Sequence, residues 1–283
     1  MAQIREIKKR IKSITSTQKV THAMELVAAA KMRKAQFAAL SNRPYSTTLN
    51  EVIDAVKKKS DSISHKLLTQ NEAKSQIIIL ITSDRGLAGG LNINLFREIL
   101  RQDTKDFKFI TVGKKAATFA AKTKSEILAS FETEEKSALD LARTLTKLVI
   151  DSFLSNEAGK ISILYPQFES TVKQVPTWVQ ILPIELETEP TNLLTYQPTN
   201  LLFEPNVDAI LTSILPHFVL TRIYQILLEA KASEHSARMV AMKNATDAAG
   251  DLIEDLTLTY NQARQEAITK ELLDIVTAQK AFE

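Results

Sequence analysis

The segment Ile4-Arg-Glu-Ile7-Lys-Lys-Arg-Ile11-Lys-Ser-Ile14 repeats isoleucine at spacings of three, four and three residues. This spacing is typical of the narrow apolar stripe of a helix that lies along another helix. Neither glycine nor proline occurs in residues 1–43, so a long helix can form there at little cost to the backbone. We expect the stripe to continue, after a slight phase shift, through Val20, Met24 and Val27.

Pro44 is the first helix breaker of the chain. Ser41 and Asn42 precede it as possible caps, and a second helical stretch is expected over about 46–59. We therefore assign residues 1–59 to an N-terminal coiled-coil helix with a kink or restart near Pro44.

The C-terminal segment 217–283 contains one breaker, Gly250. Apolar and small residues recur in it at alternating steps of four and three residues. The expected contact positions are Ile223, Leu227, Ala230, Glu234, Ala237, Ala241, Asn244 and Ala248, followed by Ile253, Leu256, Tyr260, Ala263 and Ala267. A helix over 207–280 would be roughly 110 Å long at about 1.5 Å per residue. We assign residues 207–283 to a C-terminal coiled-coil helix.

The middle of the chain predicts a small α/β domain with an extended connection at 74–205. The apolar run Gln-Ile-Ile-Ile-Leu-Ile-Thr at 76–82 is typical of a strand that is buried on both faces. Further strands are expected at 107–112, at 160–165 and, as an edge strand, at about 173–184. Helical patterns at about 92–101, 114–121 and 134–154 separate the first three strands.

Composition excludes several classes of chemistry. The chain has no cysteine, which excludes disulfides, thiolate metal sites and cysteine nucleophiles. Its four histidines show no metal-ligand spacing, and no catalytic constellation is visible. No apolar run is longer than the five residues at 77–81, against roughly 20 needed to cross a bilayer. We therefore expect no catalytic residue, no cofactor, no metal and no membrane span.

The glycine-rich segment Ser83-Asp-Arg-Gly86-Leu-Ala-Gly-Gly90-Leu-Asn92 follows a strand and precedes a helix, where phosphate-binding loops occur. Its spacing matches no phosphate-loop motif, and no lysine follows to reach a phosphate. Glycines that permit a tight turn and close packing of the helix are the favoured interpretation. The alternative is a nucleotide-binding α/β protein with helical extensions.

The N-terminal arm is strongly basic. Residues 1–34 carry nine lysines or arginines and two glutamates, whereas residues 217–283 carry seven basic and ten acidic residues. A transit peptide, a nucleic-acid arm and a protein-contact surface are three explanations for the basic arm. The regular stripe and the scarcity of aromatic residues favour protein contact, so we expect no nucleic-acid partner.

Six stretches of the sequence resemble one family. They are Ile4 to Ile14 as quoted above, Thr17-Gln-Lys-Val-Thr-His-Ala-Met-Glu-Leu-Val-Ala-Ala-Ala-Lys-Met-Arg-Lys-Ala-Gln36, Thr82-Ser-Asp-Arg-Gly-Leu87 with Gly89-Gly-Leu-Asn92, and Ser233-Glu-His-Ser-Ala-Arg-Met-Val-Ala-Met-Lys-Asn-Ala-Thr-Asp247 with Tyr260-Asn-Gln-Ala-Arg-Gln-Glu-Ala-Ile-Thr-Lys-Glu-Leu272. In this order and over this length they resemble the gamma subunit of F-type ATP synthases.

The resemblance implies a mixed α+β and α/β fold. It comprises a long antiparallel coiled coil of N- and C-terminal helices with a small Rossmann-like α/β domain. It also implies a central rotor shaft that is not itself catalytic and that couples transmembrane proton flow to ATP synthesis or hydrolysis. The implied partners are the alpha and beta subunits, whose hexamer encloses the coil, the epsilon subunit and the c-subunit ring. The implied location is the cytoplasmic side of a bacterial cell membrane, peripherally through the complex.

The resemblance also implies a set of partner-contact residues. Positions that match Arg264 and Gln265 hydrogen-bond a catch loop of the beta subunit in the family. Positions that match Met24, Arg238 and Thr269 lie in regions that influence coupling, and Lys31 belongs to the same expected contact set. The tail at 279–283 is more polar than the apolar tip that is common in the family.

Overall fold

The structure is a computed structural model of the 283-residue chain. It describes residues 2–59, 65–102, 107–133, 137–185 and 207–281. In chain order the elements of these ranges are α1 (Ala2–Lys59), β1 (Gln76–Ile81), α2 (Leu91–Leu100), β2 (Phe107–Val112), α3 (Lys114–Lys122), β3 (Glu126–Phe131), α4 (Ala138–Leu154), β4 (Lys160–Phe168), β5 (Gln174–Leu182) and α5 (Val207–Ala281). The predicted extended connection falls largely on 186–206, outside the described residues.

Contacts divide the chain into two compact units. The helix-pair unit comprises Met1–Ala29 and Arg238–Glu283, and the sheet unit comprises Ala30–Ala237. Helices α1 and α5 each contribute residues to both units.

The helix-pair unit is antiparallel. Thr246 Oγ1 lies 2.8 Å from Thr21 Oγ1, and Gln18 Nε2 donates to the Thr246 carbonyl at 3.5 Å. One turn further along α5, Gly250 lies against the Gln18 amide, so that a Cβ at this position would be 3.2 Å from Nε2. Going backward along α1 therefore means going forward along α5. The predicted combination of two long terminal helices with a central sheet is confirmed.

The α1 side of the seam follows the isoleucine repeat and then departs from the prediction. Ile7 is buried, and the other three isoleucines of the repeat are half-buried. The seam continues through Gln18, Thr21 and Ala28. The prediction of Val20 and Val27 as seam residues is wrong, because they are 58% and 56% exposed. The heptad phase is unbroken, but its positions at Gln18, Thr21 and Glu25 are polar, and the apolar Val20 and Val27 lie off the seam.

The α5 side of the seam was predicted correctly in its last third. Ile253, Leu256, Tyr260, Ala263 and Ala267 are half-buried among exposed neighbours. The earlier assignment of Asn244 and Ala248 is wrong, since both are exposed. Met242, Thr246 and Ala249 occupy the inner positions instead, with Met242 4% exposed. These three positions follow from Ile253 when residues are counted toward the N-terminus in steps of four, three and four. Counting forward from Ile223 in steps of four and three gives Asn244 and Ala248 instead.

The sheet unit is a five-stranded sheet in the order β3-β2-β1-β4-β5. Strands β1 to β4 pair in parallel, and β5 is antiparallel to β4. Strand β3 was not predicted. It is a short edge strand whose sequence, Glu-Ile-Leu-Ala-Ser-Phe, mixes polar with apolar residues and is largely exposed. Its signal is therefore weaker than that of a strand buried on both faces.

Both faces of the sheet are covered. Alternate residues of β1 point to opposite faces, so Ile77, Ile79 and Ile81 join one apolar cluster while Ile78 and Leu80 join the other. The first cluster includes residues of α1, α4 and α5, and the second includes residues of α2 and α3. The predicted burial of β1 on both faces is confirmed.

Helix α1 passes through Pro44 without restarting. Ser41 and Asn42 are helical rather than capping residues, and Asn42 Nδ2 donates to Gln225 Oε1 at 2.9 Å. Pro44 lacks the N–H that would bond the Leu40 carbonyl, and the helix is exposed there, so water can bond that carbonyl instead. The kink stays a prediction.

Helix α5 is the one helix of the described ranges that is long and apolar enough to cross a membrane by length and composition. The candidate lies within Ile210–Thr277, where an 18-residue window reaches a mean hydropathy of 1.3 and is 44% buried. Leu211, Leu215, Val219 and Ile223 belong to the first apolar cluster of the sheet unit. Since the core helix of a globular protein passes the same test, this is weak evidence for a membrane span.

The corrected seam predicts different costs for two truncations. Met242→Ala should lower the free energy of unfolding by roughly 2–5 kcal/mol, because it opens a cavity between the helices. Val20→Ala should change it by no more than about 0.5 kcal/mol, because Val20 is at the surface. Thermal unfolding followed by circular dichroism measures both. Equal losses of stability would show that the seam is misassigned.

Candidate functional site

The segment after β1 is where a phosphate would bind if this fold held a nucleotide. Thr82, Ser83 and Asp84 are all buried there. Asn92, two residues into α2, turns back and donates from Nδ2 to Ser83 Oγ at 2.8 Å, while its Oδ1 accepts from the Ser83 amide at 3.2 Å. The glycine-rich turn is therefore closed by its own side chains.

The N-terminus of α3, a second place where an anion could bind, is occupied by the chain itself. Asp84 Oδ1 accepts from the Lys114 amide at 3.0 Å, and Asp84 Oδ2 accepts from the Thr133 amide at 2.9 Å. Thr82 Oγ1 accepts from the Ala116 amide at 2.8 Å. The first-turn amides that would bind a phosphate are used to cap the helix.

The glycines of this turn have unequal roles. Gly89 adopts a φ of +57°, in the left-handed region that glycine enters without strain. A Cβ on Gly86 would meet nothing within 4 Å, and one on Gly90 would make only ordinary contact with Asn94. The interpretation as a tight turn is supported at Gly89, whereas close packing of the helix requires neither Gly86 nor Gly90.

The crevice at the carboxyl ends of β1 and β4 is the usual ligand site of a doubly wound sheet, since the strand order reverses there. Here α5 crosses that crevice. Leu227 and Ala230 are 2% and 5% exposed and line it together with Thr82 and Pro166. The remaining cavity is about 10 Å³, roughly the space of one water molecule. The geometry does not favour the nucleotide-binding alternative.

The part of α5 in the helix-pair unit carries an extended exposed apolar surface. Seven large apolar side chains of this segment are 45–60% exposed. They are Leu252, Leu258, Ile268, Leu272, Leu273, Ile275 and Val276. An apolar surface of this extent is typical of a protein-interaction site. These residues lie off the seam, so the heptad spacing does not point to them; the signal for them is the run of apolar residues at surface positions of the helix.

Three of the expected contact residues lie in the same segment. Arg264, Gln265 and Thr269 are exposed, and Thr269 Oγ1 donates to the Gln265 carbonyl at 2.9 Å. Gln265 and Thr269 line one shallow depression with Gln262, Glu266, Lys270 and Leu273. The structure thus brings Gln265 and Thr269 onto one accessible face of the helix.

The other three expected contact residues are not gathered with them. Met24 and Arg238, in the helix-pair unit, are half-buried. Lys31 is exposed and belongs to the sheet unit. We find no single cluster that contains all six residues.

The basic arm of α1 is accessible along its length. Its nine lysine and arginine side chains are all on exposed residues, namely Arg5, Lys8, Lys9, Arg10, Lys12, Lys19, Lys31, Arg33 and Lys34. Arg10 forms an exposed ion pair with Glu6 at 2.7 Å. Exposed pairs of this kind contribute little to stability, so the arm's charge remains available to a partner. Within the described ranges, no three histidine, aspartate or glutamate residues are placed to hold a metal ion.

Comparison with known proteins gives a consistent result over the full length. The ATP synthase family model matches residues 3–282. The chain is 39% identical to the ATP synthase gamma chain of Opitutus terrae over 292 aligned residues, covering 99% of both chains. It is 42% identical to the ATP synthase gamma chain of Pelotomaculum thermopropionicum, covering 100% of both chains.

Solved structures show the same fold. A chain of the Euglena gracilis mitochondrial ATP synthase (OSCP/F1/c-ring, rotational state 3) superposes with a TM-score of 0.71 at 19% identity, covering 99% of this chain and 95% of that one. A chain of the central stalk and c-ring of the Tetrahymena thermophila mitochondrial ATP synthase gives a TM-score of 0.60 at 22% identity, covering 80% and 99%. At these identities the superpositions are evidence for the fold alone.

The capping role of Asp84 can be measured. Asp84→Ala removes the acceptor of the Lys114 and Thr133 amides and should lower the free energy of unfolding by about 1–3 kcal/mol. Trp178, the one tryptophan of the chain, packs against the second apolar cluster and reports unfolding of the sheet unit by its fluorescence in urea. The exposed Asp151→Ala on α4 is the control. Equal midpoints for the two variants would contradict the capping role.

Proposed function

Because this chain belongs to the family of ATP synthase gamma chains, we propose that it is the central rotor shaft of an F-type ATP synthase and couples proton flow across a membrane to ATP synthesis or hydrolysis. The observation that carries the proposal is the identity of about 40% to gamma chains over the whole length, with no unmatched domain on either side of the comparison. A rotor transmits force through contacts and performs no bond chemistry.

The surfaces of the two units suit different partners. The exposed apolar residues of α5 in the helix-pair unit need surrounding protein, and we assign them to the cavity of the alpha–beta hexamer. The basic arm of α1 complements an acidic segment of the beta subunits, which would orient the shaft without dry anchoring. We assign the epsilon subunit and the c-subunit ring to the sheet unit. The chain would then be peripheral to the membrane through the complex, on the cytoplasmic side in a bacterium.

Rotation has a plain physical basis in this arrangement. A hexamer with three equivalent catalytic interfaces surrounds a helix pair whose faces are all different. Each interface meets a different face, and each face stabilises a different conformation, because a ligand shifts an equilibrium only by its differential affinity. Turning the helix pair moves the interfaces through their states in succession.

The proposed contact residues supply these differential contacts. Arg264 and Gln265 would hydrogen-bond a loop of a beta subunit, and Thr269 lies one turn beyond Gln265 on the same face. Met24, Lys31 and Arg238 would contact the hexamer or hold the helices in the coupling region. In this scheme residues 1–59 and 207–283 form the shaft, and residues 74–205 form its base.

Arg264→Ala tests the proposed contact with the beta subunit. The variant should fold normally, because Arg264 is exposed. It should weaken the contact by roughly 1–3 kcal/mol and lower the rate of ATP hydrolysis by the reconstituted alpha–beta–gamma complex. Arg143→Ala, an exposed arginine of α4, is the matched control. Unchanged hydrolysis with Arg264→Ala would contradict this assignment.

A second experiment separates the rotor from the nucleotide-binding alternative. Labelled ATP should not bind the purified chain at stoichiometry, because α5 fills the crevice and Asp84 occupies the N-terminus of α3. Equilibrium dialysis measures this directly. Tight stoichiometric binding by the isolated chain would overturn the proposed rotor function.

A further inference from the structure

A network of polar side chains joins α1, α5 and β4 within the sheet unit, and Glu229 is at its centre. Glu229 lies on α5 in a stretch where Ile226, Leu227, Leu228 and Ala230 are buried, and its own side chain is only 12% exposed. A carboxylate in such a place is costly unless hydrogen-bond donors surround it.

Each oxygen of the Glu229 carboxylate has a partner. Oε2 accepts from the Tyr165 hydroxyl of β4 at 3.2 Å. Oε1 accepts from Gln225 Nε2, one turn earlier on α5, at 2.9 Å, and lies 3.7 Å from Arg43 Nη2 of α1. Burial and the neighbouring charge of Glu229 raise the pKa of Tyr165, so the hydroxyl remains a neutral donor to the carboxylate.

Gln225 extends the network to α1. Its Nε2 is also 3.4 Å from the Ala39 carbonyl, and its Oε1 accepts from Asn42 Nδ2 at 2.9 Å. Arg222, a second cation whose charge acts on Tyr165, lies over the Phe218 ring, with its Cζ 5.9 Å from the ring centre. Three elements of the sheet unit are thus joined through one carboxylate and its neighbouring amide.

Two further kinds of contact join these elements: apolar packing, and a hydrogen bond between Tyr45 of α1 and His217 of α5 at 2.6 Å. Leu215, Val219, Ile223 and Leu227 of α5 pack with β1 and β4 in the first apolar cluster. The hydrophobic effect itself is non-directional, although the interlocked side chains of the cluster resist movement of the helix. Hydrogen bonds weaken steeply with distance and angle, so the network adds a directional constraint to this packing.

We infer that Glu229 is the positioning residue that fixes α1 and α5 in rotation against the sheet, so that a load on the sheet unit is passed to the two helices. The inference rests on the proposed rotor function. Tyr165 supplies the bond to the sheet, and Gln225, Asn42 and Arg43 supply the bonds between the helices. Without Glu229, ATP hydrolysis would rotate the two helices through a larger angle than the sheet.

The test uses the membrane-bound complex assembled with variant chains. Glu229→Ala removes the carboxylate and all of its bonds. Tyr165→Phe removes only the hydrogen bond between β4 and Glu229. Glu229→Gln keeps one accepting oxygen but removes the negative charge. Glu98→Gln is the matched control, because it removes the charge of a half-buried α2 glutamate that is paired with Arg101 at 3.1 Å and lies outside the network. ATP hydrolysis and proton pumping are measured on the same vesicles, and Trp178 fluorescence checks that the sheet unit is folded.

The expected result is a fall in protons pumped per ATP hydrolysed of roughly twofold or more for Glu229→Ala and Tyr165→Phe. Glu229→Gln should lie between them and wild type, and Glu98→Gln should match wild type. A merely structural role would lower hydrolysis and pumping together and leave their ratio unchanged. If Glu229→Ala does not assemble, Tyr165→Phe decides, since it retains the carboxylate and every bond between the helices.

Two contrary outcomes are distinguishable. A wild-type chain that pumps protons, with variants whose ratio equals that of Glu98→Gln, overturns the role of Glu229 and leaves the rotor function standing. A wild-type chain that does not support ATP-driven pumping in the assembled complex overturns the proposed function and this inference with it.

Discussion

The packing of α5 against the sheet is the interaction on which the rest of the sheet unit depends. Leu215, Val219 and Ile223 are wholly buried or nearly so, and they complete a cluster that includes alternate residues of β1. The same packing places Leu227 and Ala230 over the carboxyl ends of β1 and β4. An α/β sheet of this topology offers its ligand crevice at that point. Because a long helix covers the crevice, only about 10 Å³ of it remains open, roughly the space of one water molecule.

Much of the fold could be predicted from the sequence because its signals are local. The run at β1 is buried on both faces and is therefore continuously apolar, while the two long helices lack breakers over long stretches. Strand β3 was not predicted, because an edge strand with an exposed face has no continuous apolar run in its sequence. The seam was partly misplaced because a heptad position held by Gln18 or Thr21 looks like a surface position when only apolar residues are counted.

The candidate site was less predictable than the fold. Arg264, Gln265 and Thr269 were expected as contact residues only from the resemblance to the family. The structure adds that Gln265 and Thr269 lie on one accessible face of the helix. The exposed leucines of the same helix segment belong to no sequence motif. Their exposure becomes apparent only in the folded structure, where their side chains remain accessible. Glu229 and Tyr165 are distant in sequence, so nothing in a linear pattern suggests that one donates a hydrogen bond to the other. Their placement depends on how α5 crosses the sheet, which is a tertiary property.

The contact between Gly250 and Gln18 has a consequence for how this sequence can change. A Cβ at position 250 would stand 3.2 Å from the amide nitrogen of Gln18, so a larger residue there displaces the amide that bonds the Thr246 carbonyl. Replacing a helical glycine by alanine ordinarily favours the helix by about 1 kcal/mol. Here that gain is set against a shift of a few tenths of an ångström in the Gln18 amide, which reaches the Thr246 carbonyl at 3.5 Å. The side chain that position 250 can accommodate therefore depends on the residue at position 18, although the two are 232 positions apart in the chain.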